Sequence, residues 1–454
     1  MSFCQKMKLN EAGITLIDCD HKTPAAQASG YPYVGIPQLK DGHIRLDGAR
    51  LISEEDFVLW TKKAKPQLND VILSRRCNPG ESAYVPESLE IALGQNLVLL
   101  RSDGSVIYPP FLRWLVQGNE WWEQVNKFLN VGAVFNSLKC KDIPNFKLTI
   151  PSLKEQREIT DILSSLDKKI ELNSKLNQTL ESIAQAIFKS WFIDFEPVRA
   201  KIAAKQEGSD PELAAMCAIS GKSEAELDQL TKEDFAELQA TAALFPDELV
   251  ESELGEVPRG WELQQLKDIA KYSSNKILLN DLNLENYIST ENMLPEKKGI
   301  EKASSLPKAN SVPAFRQGNI LVSNIRPYFK KIWFSFFDGG HSNDVLNFDV
   351  LEKGTEEYLY NLIYQDSFFD RMMASSKGSK MPRGDKKAIM DFQIVTSSVA
   401  LRKLYSEKVR KFYSKQNSIK IENQILINLR DALLPKLLSG ELDVSGLQGE
   451  GIDG

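Results

Sequence analysis

The stretch "IPSLKEQREITDILSSLDKKIELNSKLNQTLESIAQAIFKSWF", residues 150–192, decides the fold through its hydrophobic repeat. Every seventh residue from Ile159 is Ile159, Leu166, Asn173, Leu180 and Ile187, and from Leu163 it is Leu163, Ile170, Asn177, Ala184 and Trp191. Two stripes four and three residues apart, sustained over about four heptads, form the seam of a coiled coil. At about 1.5 Å per residue the predicted helix is a rod of roughly 60 Å. Pro151 suits its start, and Pro197 closes the pattern.

The rod has an echo. A shift of 246 residues lays "NQTLESIAQAIFKSWF" (177–192) on "NQILINLRDALLPKLL" (423–438), Gly132 on Gly378, and "DIPNFKL" on "AIMDFQI". The chain therefore reads as a tandem duplication. At the shifted positions the second copy has Tyr405, Phe412, Ile419, Leu426 and Leu433, then Val409, Gln416, Asn423, Arg430 and Leu437. Burying both stripes against each other predicts a helix pair, antiparallel and pseudo-twofold. Its interface takes Ile159, Leu163, Leu166, Ile170, Asn177, Leu180 and Ile187 from one helix, and Phe412, Ile419, Asn423, Leu426 and Leu433 from the other. Asn177 and Asn423 share one place in the two copies and are candidates for fixing the alignment, the alternative being two solvated asparagines.

Upstream of each helix lie about 140 residues of short β-rich runs and turn signals, such as "DVILSRR" and "GNILVSNIRP", with helical pieces at 111–129 and 357–373. The expected fold class is α+β: two mixed α/β domains in tandem with two long helices. The expected boundaries are 1–150 for the first domain, 151–199 for the central helix, 200–255 for an acidic helical connector, 256–396 for the second domain, 397–440 for the distal helix and 441–454 for a tail. The first copy opens "MKLNEAGITLIDC" without the Gly-Trp of "GWELQQLKDI", so its opening is expected to differ.

Net charge is −6, but residues 206–257 hold 14 acidic against 2 basic side chains, which leaves the remainder at +6. Charge by segment thus admits a polyanionic partner. No apolar run reaches the roughly 18–20 residues that cross a bilayer, and the first thirteen residues lack a signal peptide's apolar core, so a cytoplasmic location without membrane contact is expected. Five scattered cysteines and three histidines, with Cys19 and His21 the nearest pair, predict no metal site.

Catalytic motifs fall short. In "YPPF" (108–111) Tyr108 stands where an amino-methyltransferase loop needs an Asp or Asn carbonyl acceptor, and no Gly-rich cofactor loop precedes it. A phosphate-cradling GxxxxGK[ST], a GxGxxG after a strand and a GxSxG elbow are all missing, and no ExK follows Pro246-Asp247 within a short hairpin. Catalysis by this chain alone is not expected.

Recognition chemistry remains. "KGSKMPRGDKKAI" (377–389) carries Lys377, Lys380, Arg383, Lys386 and Lys387, with Gly378 and Gly384 expected to let backbone approach a phosphate; the matching first-copy stretch keeps Lys139 and Lys141. Arg75 and Arg76 in "LSRRCNPG", and Arg326 and Lys330 in "VSNIRPYFKK", follow strands in corresponding places. All eleven are candidates for binding a polyanion such as DNA, the alternative being solvated surface charge.

The stretch from "IPSLKEQ" to "FKSWFIDFEPVRAK" closely resembles the central conserved region of type I restriction-modification specificity subunits. "ALFPDELVESELGEVPRGWELQQLKDI" resembles the start of that family's second half, and "LRDALLPKLLSGELDV" its distal end. The resemblance implies two target recognition domains, each reading half of a split double-stranded DNA sequence, with the helices as a spacer. It also implies two methyltransferase subunits using S-adenosylmethionine and two motor-nuclease subunits using ATP and magnesium, with no cofactor in this chain. The alternative from residues alone is a coiled-coil protein scaffold that binds no DNA. One departure stands out: Glu155 and Gln156 align with Leu401 and Arg402, so the second copy lacks the Glu-Gln pair.

Overall fold

A computed structural model describes residues 5–19, 22–132, 135–378 and 380–442. Two compact units divide the chain: one runs up to Asn173 and resumes at Glu422, and the other is Ser174–Ile421. The expected tail from 443 onward and His21 lie outside the described residues.

In the first unit an antiparallel sheet runs in the order Ile14–Asp18, Leu97–Ser102, Val71–Ser74, Ser82–Tyr84. Val71–Ser74 and Leu97–Leu100 are buried on both faces, which is why they read as continuous apolar runs rather than alternating ones. Gln5–Lys8 pairs with Lys147–Ile150, and Tyr33-Val34 lies parallel to Ala92-Leu93. The second unit repeats this plan. Its sheet runs Ala270–Tyr272, Val345–Val350, Ile320–Ser323, Ile332–Phe334, Glu262–Gln265 pairs with Gln393–Thr396, and Tyr287-Ile288 lies parallel to Gly340-His341. The opening strands Gln5–Lys8 and Glu262–Gln265 therefore take corresponding places, and the missing Gly-Trp does not alter the pairing.

The central helix is Leu153–Phe192 and the distal helix Val399–Ser439. Ser152 and Glu155 start the central helix with a capping box, the Ser152 amide donating to Glu155 Oε2 at 2.9 Å and the Glu155 amide to Ser152 Oγ at 3.4 Å. Gln156 is buried and staples the preceding domain: its Nε2 donates to the Val106 and Pro151 carbonyls, and its Oε1 accepts from the Tyr108 amide at 2.7 Å. The Glu-Gln pair is thus one cap and one staple. In the distal helix the Leu401 amide donates to Ser398 Oγ at 3.3 Å, but Leu401 cannot answer the Ser398 amide, and Arg402 is buried beside the Tyr358 ring.

Each unit pairs one half of each helix, in antiparallel sense. In the first, Ile159 and Leu163 share a core with Leu437, Asp167 meets Arg430, and Asn173 meets Glu422 and Asn423. In the second, Gln416 donates to the Asn177 carbonyl at 2.9 Å, and Tyr405 donates to the Ala184 carbonyl at 3.0 Å. Phe188, Trp191, Phe192, Tyr405, Val409 and Tyr413 form the second unit's core with Tyr358 and Phe348. Side chains of this size each contribute about 1.5–3 kcal/mol or more on burial, so aromatic packing outweighs helix propensity here.

The acidic stretch expected as a helical connector folds with the second unit. Glu196–Glu207, Pro211–Ser220, Glu224–Leu227 and Lys232–Ala242 are helices of the second unit with a small core of Ala215, Met216, Leu227, Leu238 and Ala242. Val198 and Phe245 join the unit's main core, and the buried Lys201 ammonium donates to the Phe245 carbonyl and Glu212. The hairpin Leu249–Ser252/Gly255–Pro258 also crosses the expected boundary at 255/256.

Candidate nucleic-acid interface

Both units build the same two-loop device. After the strand Val71–Ser74 the chain turns at Cys77 (φ 64°), and after Ile320–Ser323 it turns at Arg326 (φ 51°), left-handed in both places. Ser74 Oγ accordingly donates to the Arg76 carbonyl at 2.8 Å, and Ser323 Oγ to the Ile325 carbonyl at 3.2 Å. A second loop then closes on itself. Asn130 and Ser137 exchange both backbone bonds, as do Lys377 and Arg383. The loops join through bridges Arg76 to Ser137 and Ile325 to Arg383, and through the Arg326 amide on the Pro382 carbonyl at 2.9 Å. Arg75 and Arg76 are thereby brought beside Lys139, and Arg326 beside 377–387.

The candidates are not equivalent. Arg76, Lys139, Lys141, Arg326, Lys380, Lys386 and Lys387 are exposed and make no ion pair among the described residues. Three others are already engaged by carboxylates: Lys330 with Asp366 at 3.1 Å, Lys377 with Asp385 at 3.1 Å and Arg383 with Asp344 at 3.0 Å. The hydrogen bond to Asp366 raises the Lys330 ammonium above its usual range. Asp385 also caps the short helix Lys386–Met390 through the Lys387 and Ala388 amides, which points the two lysines into its first turn. Arg75 is half-buried. Gly384 corrects an expectation: it is buried, and a Cβ there would meet Ile389 at 2.9 Å and Asn324 Oδ1 at 3.0 Å. Its bareness serves loop-to-loop packing, while Gly378 (φ 97°) supplies a turn.

All twelve predicted helix-pair residues are buried or half-buried. Asn423 accepts from Asn173 Nδ2 at 2.9 Å and donates to the Ile170 carbonyl, whereas Asn177 receives Gln416 at its backbone oxygen. The antiparallel sense explains this, because equal places in the copies fall in different halves.

Sequence reading missed the first unit's charged anchor. Asp167 is buried between Arg113, Arg430 (2.9 Å) and His43 (3.4 Å), and the Arg113 guanidinium lies 3.7 Å over the Tyr84 ring. Burial would raise the Asp167 carboxyl, but hydrogen bonds from His43 and Arg430 and the charge of Arg113 outweigh it and hold it well below the usual range. Arg430, the charged member of the mixed stripe with Gln416 and Asn423, was the available signal. Elsewhere, Cys19 is buried and donates to the Leu97 carbonyl at 3.0 Å, its thiol pushed up to about 11 by burial. Among the described residues no three His, Cys, Asp or Glu side chains gather as a metal site, and no helix is long and apolar enough to cross a membrane.

Comparison with known proteins gives these loops a context. Residues 18–182 match the family described as "Type I restriction modification DNA specificity domain". The HindI specificity subunit of Haemophilus influenzae is 31% identical over 82% of this chain and 86% of its own length. The MjaIX specificity subunit of Methanocaldococcus jannaschii is 25% identical over 88% and 83%. The crystal structure of a type I restriction-modification S subunit from M. genitalium superposes with a TM-score of 0.53 at 14% identity, covering 96% of both chains, which supports the fold. The 31% identity to the Haemophilus subunit over 82% of this chain places it in the family of type I restriction-modification specificity subunits.

Proposed function

We propose that each sheet-rich unit reads one half of a bipartite double-stranded DNA site and that the helix pair sets the gap between the halves. The observation that carries this reading is the duplicated two-loop device, which offers exposed cations around the same pair of loops in both units, Lys141 and Lys387 at matching places. In each unit the lone cations hold phosphates and fix register, while neighbouring loop side chains read base edges. The chain contributes no catalytic group. Two methyltransferase subunits dock on it and bring S-adenosylmethionine, and two motor-nuclease subunits bring ATP and magnesium.

Methylome sequencing of a host with and without the chain tests this directly: a bipartite adenine-methylated motif should depend on it. Replacing 256–396 with the corresponding segment of another family member should change one half of that motif and leave the other. A motif unaffected by loss of the chain would favour a protein scaffold instead.

A further inference from the structure

Beside the lone cations of the second unit, the turn after Arg326 exposes two aromatic rings. Tyr328 is 47% and Phe329 36% exposed, with ring centroids 4.6 Å apart. Both belong to a one-turn helix, Pro327–Phe329, bracketed by Arg326 (φ 51°) and Lys330 (φ 49°) in the left-handed region that non-glycine residues seldom adopt. Such a conformation persists only where its surroundings enforce it. Here the Arg326 amide donates to Pro382, and the Glu296 and Lys297 amides donate to the Phe329 and Lys330 carbonyls at 2.8 and 3.0 Å. The Lys330–Asp366 ion pair adds a fourth tie. Met381, 45% exposed, precedes the proline that holds Arg326. The corresponding turn of the first unit, Cys77-Asn78-Pro79-Gly80, carries no aromatic ring.

A rigid, solvent-facing ring pair is a poor surface for water. Its neighbours Arg326, Lys380, Lys386 and Lys387 make no ion pair among the described residues and repel a cationic partner. Flat apolar faces beside exposed cations match stacked bases between phosphates: wedge side chains enter base steps, and base–aromatic stacking tolerates any sequence. We propose that Tyr328, backed by Phe329, is a stacking wedge that enters the duplex in the half-site of the second unit and unstacks one base step there. This rests on the DNA-recognition reading above.

The test uses the chain assembled with its methyltransferase subunits and duplexes of the motif bearing 2-aminopurine at successive positions of that half-site, other than the methylated adenine. The wild-type complex should raise fluorescence several-fold at one step. Tyr328→Ala with Phe329→Ala should abolish the rise and weaken binding about tenfold, while Tyr328→Trp should retain both. The exposure of both rings leaves the core untouched, and an unchanged melting temperature checks this. A rise that survives the double substitution, or its absence in a wild-type complex that binds the duplex, overturns the wedge. A double variant that binds DNA normally but loses its partner subunits assigns the rings to a protein contact and also overturns it. Failure of the wild-type complex to bind any duplex would instead remove the recognition reading itself.

Discussion

The two units solve one contact in opposite ways. Shifts of 247 and 246 residues lay Arg113 and Asp167 of the first unit on Tyr360 and Tyr413 of the second. Where the first joins its short domain helix to its long-helix segment through a buried guanidinium and carboxylate, the second stacks two buried tyrosines edge to face at 5.3 Å. The neighbouring Arg430 falls on Ala184, whose carbonyl receives Tyr405. Duplication kept the strand order and loop closure while the chemistry of the contact diverged. A buried ion pair depends on both partners, whereas an aromatic pair depends mainly on shape.

Removing one partner should therefore break the comparison most. Asp167→Ala leaves the buried Arg113 uncompensated, while Arg430 keeps Asp431 at 2.7 Å, and should cost about 3–5 kcal/mol in denaturant unfolding of the chain. Tyr413→Phe, which loses only the 2.8 Å bond to Asn361, should cost about 1 kcal/mol. Equal losses would show that the ionic anchor is not special.

The pH dependence should differ in sign. The folded Asp167 carboxyl lies below its unfolded value, so its contribution is full above about pH 4 and is lost as pH falls through the lower folded value. Burial raises Tyr360 and Tyr413 well above 10, so their contribution is full below about pH 10 and is lost as pH rises further. Hydrogen exchange should show protection failing first in 153–173 at acid pH and first in 399–421 at alkaline pH; the same order at both extremes would contradict the assignment.

Smaller effects sharpen the picture. Lys386→Ala with Lys387→Ala should weaken DNA binding by the assembled complex across sequences and reduce the salt slope by about 2. Unchanged affinity would remove them from the interface. Ser152→Ala should cost about 1 kcal/mol because it breaks a reciprocal box, and Ser398→Ala should cost less because Leu401 returns nothing. Thermal melting of the two variants decides.

How much was legible follows the range of each interaction. Heptads at 159–187 and 405–437 are local signals, and every predicted interface position lies buried or half-buried because a stripe has only one face to hide. The loop candidates were legible as residue types, but their pairing was not: Asp344, Asp366 and Asp385 neutralise three of the eleven cations, and Asp344 and Asp366 are 39 and 36 residues from their partners. Gly384 looked like a phosphate approach because its neighbours Asn324 and Ile389 are invisible to composition.

The sequence by itself determined the duplication, the two long helices and the absence of catalytic motifs, because periodicity and repeats are written along the chain. Tertiary structure decided which partner each polar group meets. Asn177 and Asn423 share a sequence place yet find different neighbours, and Asp167 gathers Arg113 and Arg430 from 54 and 263 residues away. Hydrogen bonds and buried charge depend on distance in space, and only the folded chain sets it.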